Sequence, residues 1–270
     1  KAHAAETGAV YVPPFDDPLV IAGQGTIGLE LAEEAPEAEV VAVAVGGGGL
    51  IAGVATALAH TRRGVRVVGV EAAGAAGMRA SLDAGRVVTL PAVNTMADGI
   101  AVRAPSDLTL GHVRAYVDDI VTVDEEQISQ ALLLLLERAK AVVEPAGAAA
   151  LAAVLAGKIP GTGPVAVILS GGNVDPLLLT KLIDHGLSAA GRFMVLRVVL
   201  GDHPGELAML TAAVAEIGLN VLEVEHHRSG TRLHVNEVEV MLTVETRDPD
   251  HRSEIVTDLR DRGFDVELVS

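Results

Sequence analysis

Val40-Val41-Ala42-Val43-Ala44-Val45-Gly46-Gly47-Gly48-Gly49-Leu50 is the stretch on which the fold turns. Its first six residues are small and apolar with no polar break, which reads as a strand buried on both faces, as in parallel sheets. Four glycines follow, then a helical pattern to about residue 63. A strand that passes through glycines into a helix aims several backbone N–H groups at one point and adds the positive end of the helix dipole. One glycine would serve a tight turn. Four predict an anion cradle, usually for phosphate, at Gly46, Gly47, Gly48 and Gly49.

Working outward, strands are expected at residues 65–70, 120–123 and 165–169. A helix begins after Asp124, with Gln127 completing a capping box, and runs to Lys140; another covers 145–156. This rhythm predicts an α/β domain with a mostly parallel sheet covered by helices on both faces. Residues 186–191 are short and small and mark a boundary. Beyond it come an alternating strand at 193–200, the turn Asp202-His203-Pro204-Gly205, a helix to Ile217, a strand at 220–227, a turn at 228–231, a strand at 235–246, a helix at 249–262 and a strand at 264–269. The order βαββαβ is the ferredoxin-like arrangement. The expected domains are 1–190 and 191–270.

The 270 residues suit two domains. Half are apolar, yet only Tyr11, Tyr116, Phe15, Phe193 and Phe264 are aromatic, so Ala, Val, Leu and Gly must fill the cores. The net charge of −16 comes with no basic stripe, which excludes a nucleic-acid partner. With no cysteine, disulfides, thiolate catalysis and Cys-ligated zinc are excluded. The apolar runs 132–136 and 146–156 fall short of the ~18 residues of a membrane span. A cytoplasmic protein without a membrane partner is expected. The first eight residues, from Lys1 to Gly8, read like the end of a helix, so the sequence is expected to belong to something longer.

Two stretches match the dinucleotide fingerprint. Gly23-Gln24-Gly25-Thr26-Ile27-Gly28 follows an apolar run and opens a helix, but no acidic residue ends the next strand. Gly47, Gly49 and Ala52 match as well, with Glu71 at the ribose position, which keeps a nicotinamide-dependent dehydrogenase open. Ser170-Gly171-Gly172-Asn173 follows a strand directly, at the end where open α/β sheets bind ligands. Its hydroxyl, if buried, needs a partner; a plain turn is the alternative. Glu144 is either a helix N-terminal charge or a support for a ligand. The histidines lack metal spacing. His226 and His227 fall on opposite faces of a strand, both toward solvent.

Pro14-Phe15-Asp16-Asp17, Gly23-Gln24-Gly25-Thr26, Gly46 to Leu50, Ala97-Asp98-Gly99, Val143-Glu144-Pro145-Ala146-Gly147 and Ser170 to Asn173 occur in one order. Together they resemble the pyridoxal-phosphate (PLP) enzymes of the threonine dehydratase and serine racemase type, of the tryptophan synthase β-like fold. Residues 193–270 resemble an ACT domain, the amino-acid-sensing βαββαβ module. The resemblance covers nearly the whole chain. It implies that Gly46, Gly47, Gly48, Gly49 and the N–H of Leu50 hold the cofactor phosphate and that Ser170 meets the pyridine nitrogen. It also implies deamination of L-threonine to 2-oxobutanoate and ammonia, a homodimer or homotetramer, and an amino-acid effector, isoleucine or valine, at Asp202, His203 and Gly205.

The sequence departs from that pattern in three places. The family's Schiff-base lysine stands in a Ser-x-Lys-x-Arg stretch, and none of Lys1, Lys140, Lys158 or Lys181 has that context. These four read as solvated helix-terminus charges, so these residues alone are expected to be inactive, and a non-catalytic amino-acid sensor is a further alternative. The family's divalent cation would use Glu71, the carbonyl of Ala75 and an Asp where Gly77 stands. No metal is expected, and Glu71 reads as a local hydrogen-bond acceptor. Pro13 stands where a His is common, with no assignable effect.

Overall fold

Strand β1 (Val40–Ala44) is buried at every residue because it is the inner strand of a parallel sheet. In the computed structural model, which describes residues 2–62, 64–189, 191–228 and 233–269, this sheet has the order β3-β2-β1-β4, with β2 at Arg66–Ala72, β3 at Asp119–Val123 and β4 at Val165–Val167. All three pairings are parallel. The chain divides into compact units at residues 1–178 and 179–270.

Side-chain alternation sends β1 residues to two faces. Val41, Val43 and Val45 join a cluster with Ile51, Val54 and Leu58 of α3 (Gly49–Thr61) and Leu110 and Val113 of α5 (Asp107–Tyr116). Val40, Ala42 and Ala44 turn the other way, toward α7 (Pro145–Leu155), which packs on β1, β2 and β3. Seven of its eleven residues are Ala or Gly, so its axis can lie close to the sheet. Fully burying a Val or Leu side chain stabilises by about 1.5–3 kcal/mol, and this repeated small-residue packing stands in for the scarce aromatics. Helix α6 (Glu125–Leu134) starts at the expected box: Asp124 accepts from the Gln127 amide at 2.9 Å, and Gln127 accepts from the Asp124 amide at 3.1 Å. It does not continue as α-helix to Lys140. Residues Leu135–Ala139 widen into a π turn, and Lys140 closes it in the left-handed region.

The sequence gives little notice of α2 (Pro18–Glu34), capped by Asp17, whose Oδ1 accepts from Leu19 N at 2.7 Å. The Gly23–Gly28 fingerprint lies inside this helix rather than at a strand-to-helix turn, which removes it as a phosphate loop. Its glycines serve packing. A Cβ on Gly28 would stand 2.7 Å from the Val54 carbonyl and 2.8 Å from the Ala57 Cβ of α3. The strand expected at 165–169 stops at Val167 because β4 is the sheet's edge and beyond Ile168 no described partner continues the ladder. Residues Ala2–Thr7 form α1, as the opening of the sequence suggested, and Gly77–Ala84 form α4.

Residue 186 is not in a linker: α8 runs over Pro176–Ala189. After it come β5 (Phe193–Gly201), α9 (Glu206–Glu216), β6 (Val221–His227), β7 (Glu237–Glu245), α10 (Pro249–Asp261) and β8 (Asp265–Leu268). They form the antiparallel sheet β6-β7-β5-β8 of a ferredoxin-like unit. Met194, Leu196, Val198 and Leu200 alternate inward with Val238, Val240, Leu242 and Val244, and Leu210, Val214, Ile255 and Leu259 close the core. Arg197 points the opposite way and pairs with Glu239 and Glu267. His226 and His227 are both exposed. Of the turn expected at 228–231, residues 229–231 lie outside the described residues.

Candidate functional site

The glycine loop sits at the C-terminal end of β1 and is tied down from several sides. Gly48 has φ 91°, a left-handed conformation that favours glycine, and serves as the N-cap of α3. The Thr109 hydroxyl, buried on α5, donates to the Gly47 carbonyl at 2.7 Å. Phe15 packs its ring on Gly47 and its backbone and Cβ on Gly49, where any side chain would collide. A Cβ on Gly46 would stand 2.9 Å from Ile100 Cα, and one on Gly48 2.6 Å from Met78 Cε. The four glycines therefore answer to close packing behind the loop as well as to a ligand in front. Among the described residues no protein acceptor takes the N–H of Gly46, Gly47, Gly48, Gly49 or Leu50. Unpaired amides at a helix N-terminus are what an anion requires.

A cavity of about 240 Å³ opens in front of the loop. Gly46 to Leu50 line it, and so do Pro14, Phe15, Gly99, Glu144 and Ser170. Residues distant in sequence meet here because β1 and β4 end, and α3 and α7 begin, at the same rim. Ser170 is exposed rather than buried, since β4 ends early and leaves it on a loop; among the described residues its hydroxyl has no hydrogen-bond partner. Glu144 is the N-cap residue of α7, yet its side chain does not cap that helix. Its Oε2 accepts from Asn173 N at 3.2 Å, and its own N–H donates to the Gly171 carbonyl at 3.0 Å.

Glu71 lies away from this cavity and is fully buried. Its Oε1 accepts from Met78 N at 2.7 Å and its Oε2 from Arg79 N at 2.8 Å, so the carboxyl caps α4. Desolvation nonetheless pushes its pKa up to about 7, against the two amides and Arg79, which lower it. Fully buried, with an α4 amide on each oxygen, it does not reach a ribose, which removes the physical basis of the dinucleotide reading. The same engagement, with Gly77 offering no carboxylate, makes it a poor cation ligand; among the described residues no three His, Asp or Glu side chains cluster to hold a metal.

None of the described lysines lines the cavity. Lys140 Nζ donates to the Glu137 carbonyl at 2.8 Å, and Lys181 is exposed on α8. Lys158 is not a freely solvated charge: it is partly buried and donates to the Thr122 carbonyl at 2.8 Å and to Gln127 Oε1 at 2.9 Å. Lys1 lies outside the described residues. At the β5–α9 turn, Asp202, His203 and Gly205 are all exposed. Asp202 pairs with Arg228 at 3.4 Å, and Gly205, with φ 102°, is the N-cap of α9.

Sequence reasoning missed Thr109, although Ser106 three residues earlier is a visible capping signal: Ser106 Oγ accepts from Thr109 N at 3.1 Å. It also gave Phe15 and Gly99 no role beyond their place in a motif, because their partners lie far along the chain.

A parallel α/β sheet that brings five free amides and a serine loop to one rim defines a protein built to hold a phosphorylated cofactor. The family described as "Pyridoxal-phosphate dependent enzyme" matches residues 1–171. The chain belongs to that family. It is 44% identical over 265 residues to the L-threonine ammonia-lyase of Geobacter sulfurreducens, covering 98% of this chain and 66% of that protein. It is 46% identical over 265 residues to the L-threonine ammonia-lyase of Thermotoga maritima, with the same coverage. Among solved structures, the threonine deaminase of T.th. matches at TM-score 0.62 and 46% identity, over 64% of this chain and 65% of that one. Maize serine racemase matches at TM-score 0.62 and 39% identity, over 69% and 58%. The chain thus spans about two thirds or less of the length of these relatives. No described helix is long and apolar enough to cross a membrane.

Proposed function

We propose that the protein deaminates L-threonine to 2-oxobutanoate and ammonia with PLP as cofactor. The observation that carries this reading is the set of free amides at Gly46, Gly47, Gly48, Gly49 and Leu50 facing the same cavity as Ser170. The amides hold the cofactor phosphate, charge-assisted and helped by the α3 dipole. Ser170 meets the pyridine nitrogen. A hydroxyl, unlike a carboxylate, does not hold that nitrogen protonated, so the ring withdraws electrons less strongly. A β-hydroxy amino acid suits such a site, because its leaving group is already in place. When bound, the cofactor supplies the electron sink for negative charge at the substrate Cα.

On this reading residues 1–190 are the C-terminal part of the catalytic domain and 191–270 an ACT regulatory domain of a cytoplasmic homo-oligomer, a dimer or tetramer. The effector, isoleucine or valine, sits at Asp202, His203 and Gly205 and biases the catalytic domain. None of Lys1, Lys140, Lys158 and Lys181 stands in the sequence context of the family's cofactor lysine, so these 270 residues alone are expected not to turn over threonine. The test follows 2-oxobutanoate formation from L-threonine by the full protein with PLP, with and without isoleucine or valine. Formation that is lost in Ser170→Ala is expected. No oxobutanoate from the PLP-saturated protein would overturn the assignment, and an unchanged rate and affinity with every amino acid would overturn the regulatory part.

A further inference from the structure

We infer that Glu144 is a positioning residue that clamps the Ser170–Asn173 loop to the first turn of α7. The inference rests on the cofactor reading of the cavity. Once β4 has ended at Val167, this loop has lost its sheet ladder, and Ser170 and Asn173 are both exposed. Glu144 restores two of the missing bonds. Its N–H donates to the Gly171 carbonyl at 3.0 Å, and its carboxylate reaches around to accept from Asn173 N at 3.2 Å.

The surroundings are shaped to that carboxylate. A Cβ on Gly171 would collide with it, and one on Gly99 would stand 2.9 Å from Oε1. Gly147, in the first turn of α7, leaves its space to the Ser170 carbonyl. Three glycines from three segments thus make room for Glu144 and the loop backbone. The short side chains favoured at an N-cap, Ser, Thr, Asp and Asn, fold back onto their own helix. Here the α7 cap is given up, and the side chain serves the neighbouring loop instead. The consequence is that the Ser170 hydroxyl, free of any partner among the described residues, is held at the cavity rim by its neighbours and not by its own bonds.

A clamp needs an acceptor at Oε2; it does not need the negative charge. Glu144→Gln keeps the acceptor, and Glu144→Ala removes it. The measurement is amide exchange at Asn173 in the full protein without cofactor, with PLP affinity and the absorption spectrum of the bound cofactor read in parallel. In Glu144→Ala, Asn173 exchange is expected to rise about tenfold or more, the scale of one hydrogen bond, with weaker PLP binding and a shifted absorption maximum. Glu144→Gln is expected to restore all three to near the native values. If Gln fails as Ala does, charge and not positioning is the role, and the inference falls. It falls equally if Ala leaves Asn173 exchange unchanged while PLP binds. If the native protein does not bind PLP at all, the positioning role falls together with the cofactor reading, whatever the exchange rates show.

Discussion

The buried hydroxyl of Thr109 donates to the carbonyl of Gly47 at 2.7 Å, across 62 positions of sequence. One bond fixes the glycine loop to α5, and the same residue closes the α5 capping box with Ser106. Thr109→Val keeps the volume but leaves a buried carbonyl without its donor, a cost of about 1–3 kcal/mol. Urea unfolding at constant m-value is expected to show that loss, and PLP affinity to fall with it. Thr109→Ser, which keeps the hydroxyl, is expected to recover most of both. Equal stability in Thr109→Val and the native protein would mean that the loop is held by Phe15 and the core alone.

The α2–α3 contact supports a second prediction. A Cβ on Gly53 would collide with the Ile21 carbonyl and stand 2.6 Å from Gly25 N. Gly53→Ala therefore forces the helices apart, with an expected loss of about 1–3 kcal/mol. The native protein is expected to show no NADH binding by fluorescence titration. Saturable NADH binding would reopen the dinucleotide reading that the helix packing and Glu71 argue against.

What was legible in the sequence followed from short-range chemistry. The Val-rich run before Gly46 announced a buried parallel strand, the Asp124–Gln127 pair announced a helix start, and alternation at 193–200 announced a half-buried antiparallel strand. All three depend on neighbours a few residues apart. What was not legible depended on partners far away. The glycines of α2 looked like a phosphate loop because a tight turn and a close helix contact make the same demand for a missing side chain. For Ser170 the sequence leaves a buried hydroxyl and a plain turn both open; the edge position of β4, which ends the ladder two residues early, leaves it exposed. Glu144, left open between helix charge and ligand support, finds its side-chain partner in Asn173, 29 positions on, which no local pattern announces.

The lysines yield a third prediction. Lys140 and Lys158 spend their donors on carbonyls and on Gln127, and Lys181 is exposed on α8. Incubation of these 270 residues with PLP, borohydride reduction and peptide mapping are expected to find no stoichiometric modification of the three. A stoichiometric adduct on any of them would show that this chain carries its own cofactor lysine, and the residue roles proposed for the cavity would have to be redrawn around it.

Glu71 yields the last prediction, in pH. Burial raises its pKa from 4.5 to about 7 in the folded protein, while the unfolded chain titrates near the ordinary value. Between those values the folded state holds the proton more tightly than the unfolded state. Stability from this group is therefore complete below about pH 4.5 and is lost as pH rises through about 7, by about 3 kcal/mol in all. Surface carboxylates such as Asp83, held low by Arg79, act in the opposite direction, so the comparison must be made against Glu71→Gln. Gln cannot titrate, and it satisfies one of the two α4 amides and not both. The native protein is expected to exceed the variant most at about pH 5, with the gap narrowing steadily to about pH 8 in urea unfolding. A gap that stays constant or widens with pH would show that the Met78 and Arg79 amides outweigh burial, and that this buried carboxyl is an ordinary charged helix cap.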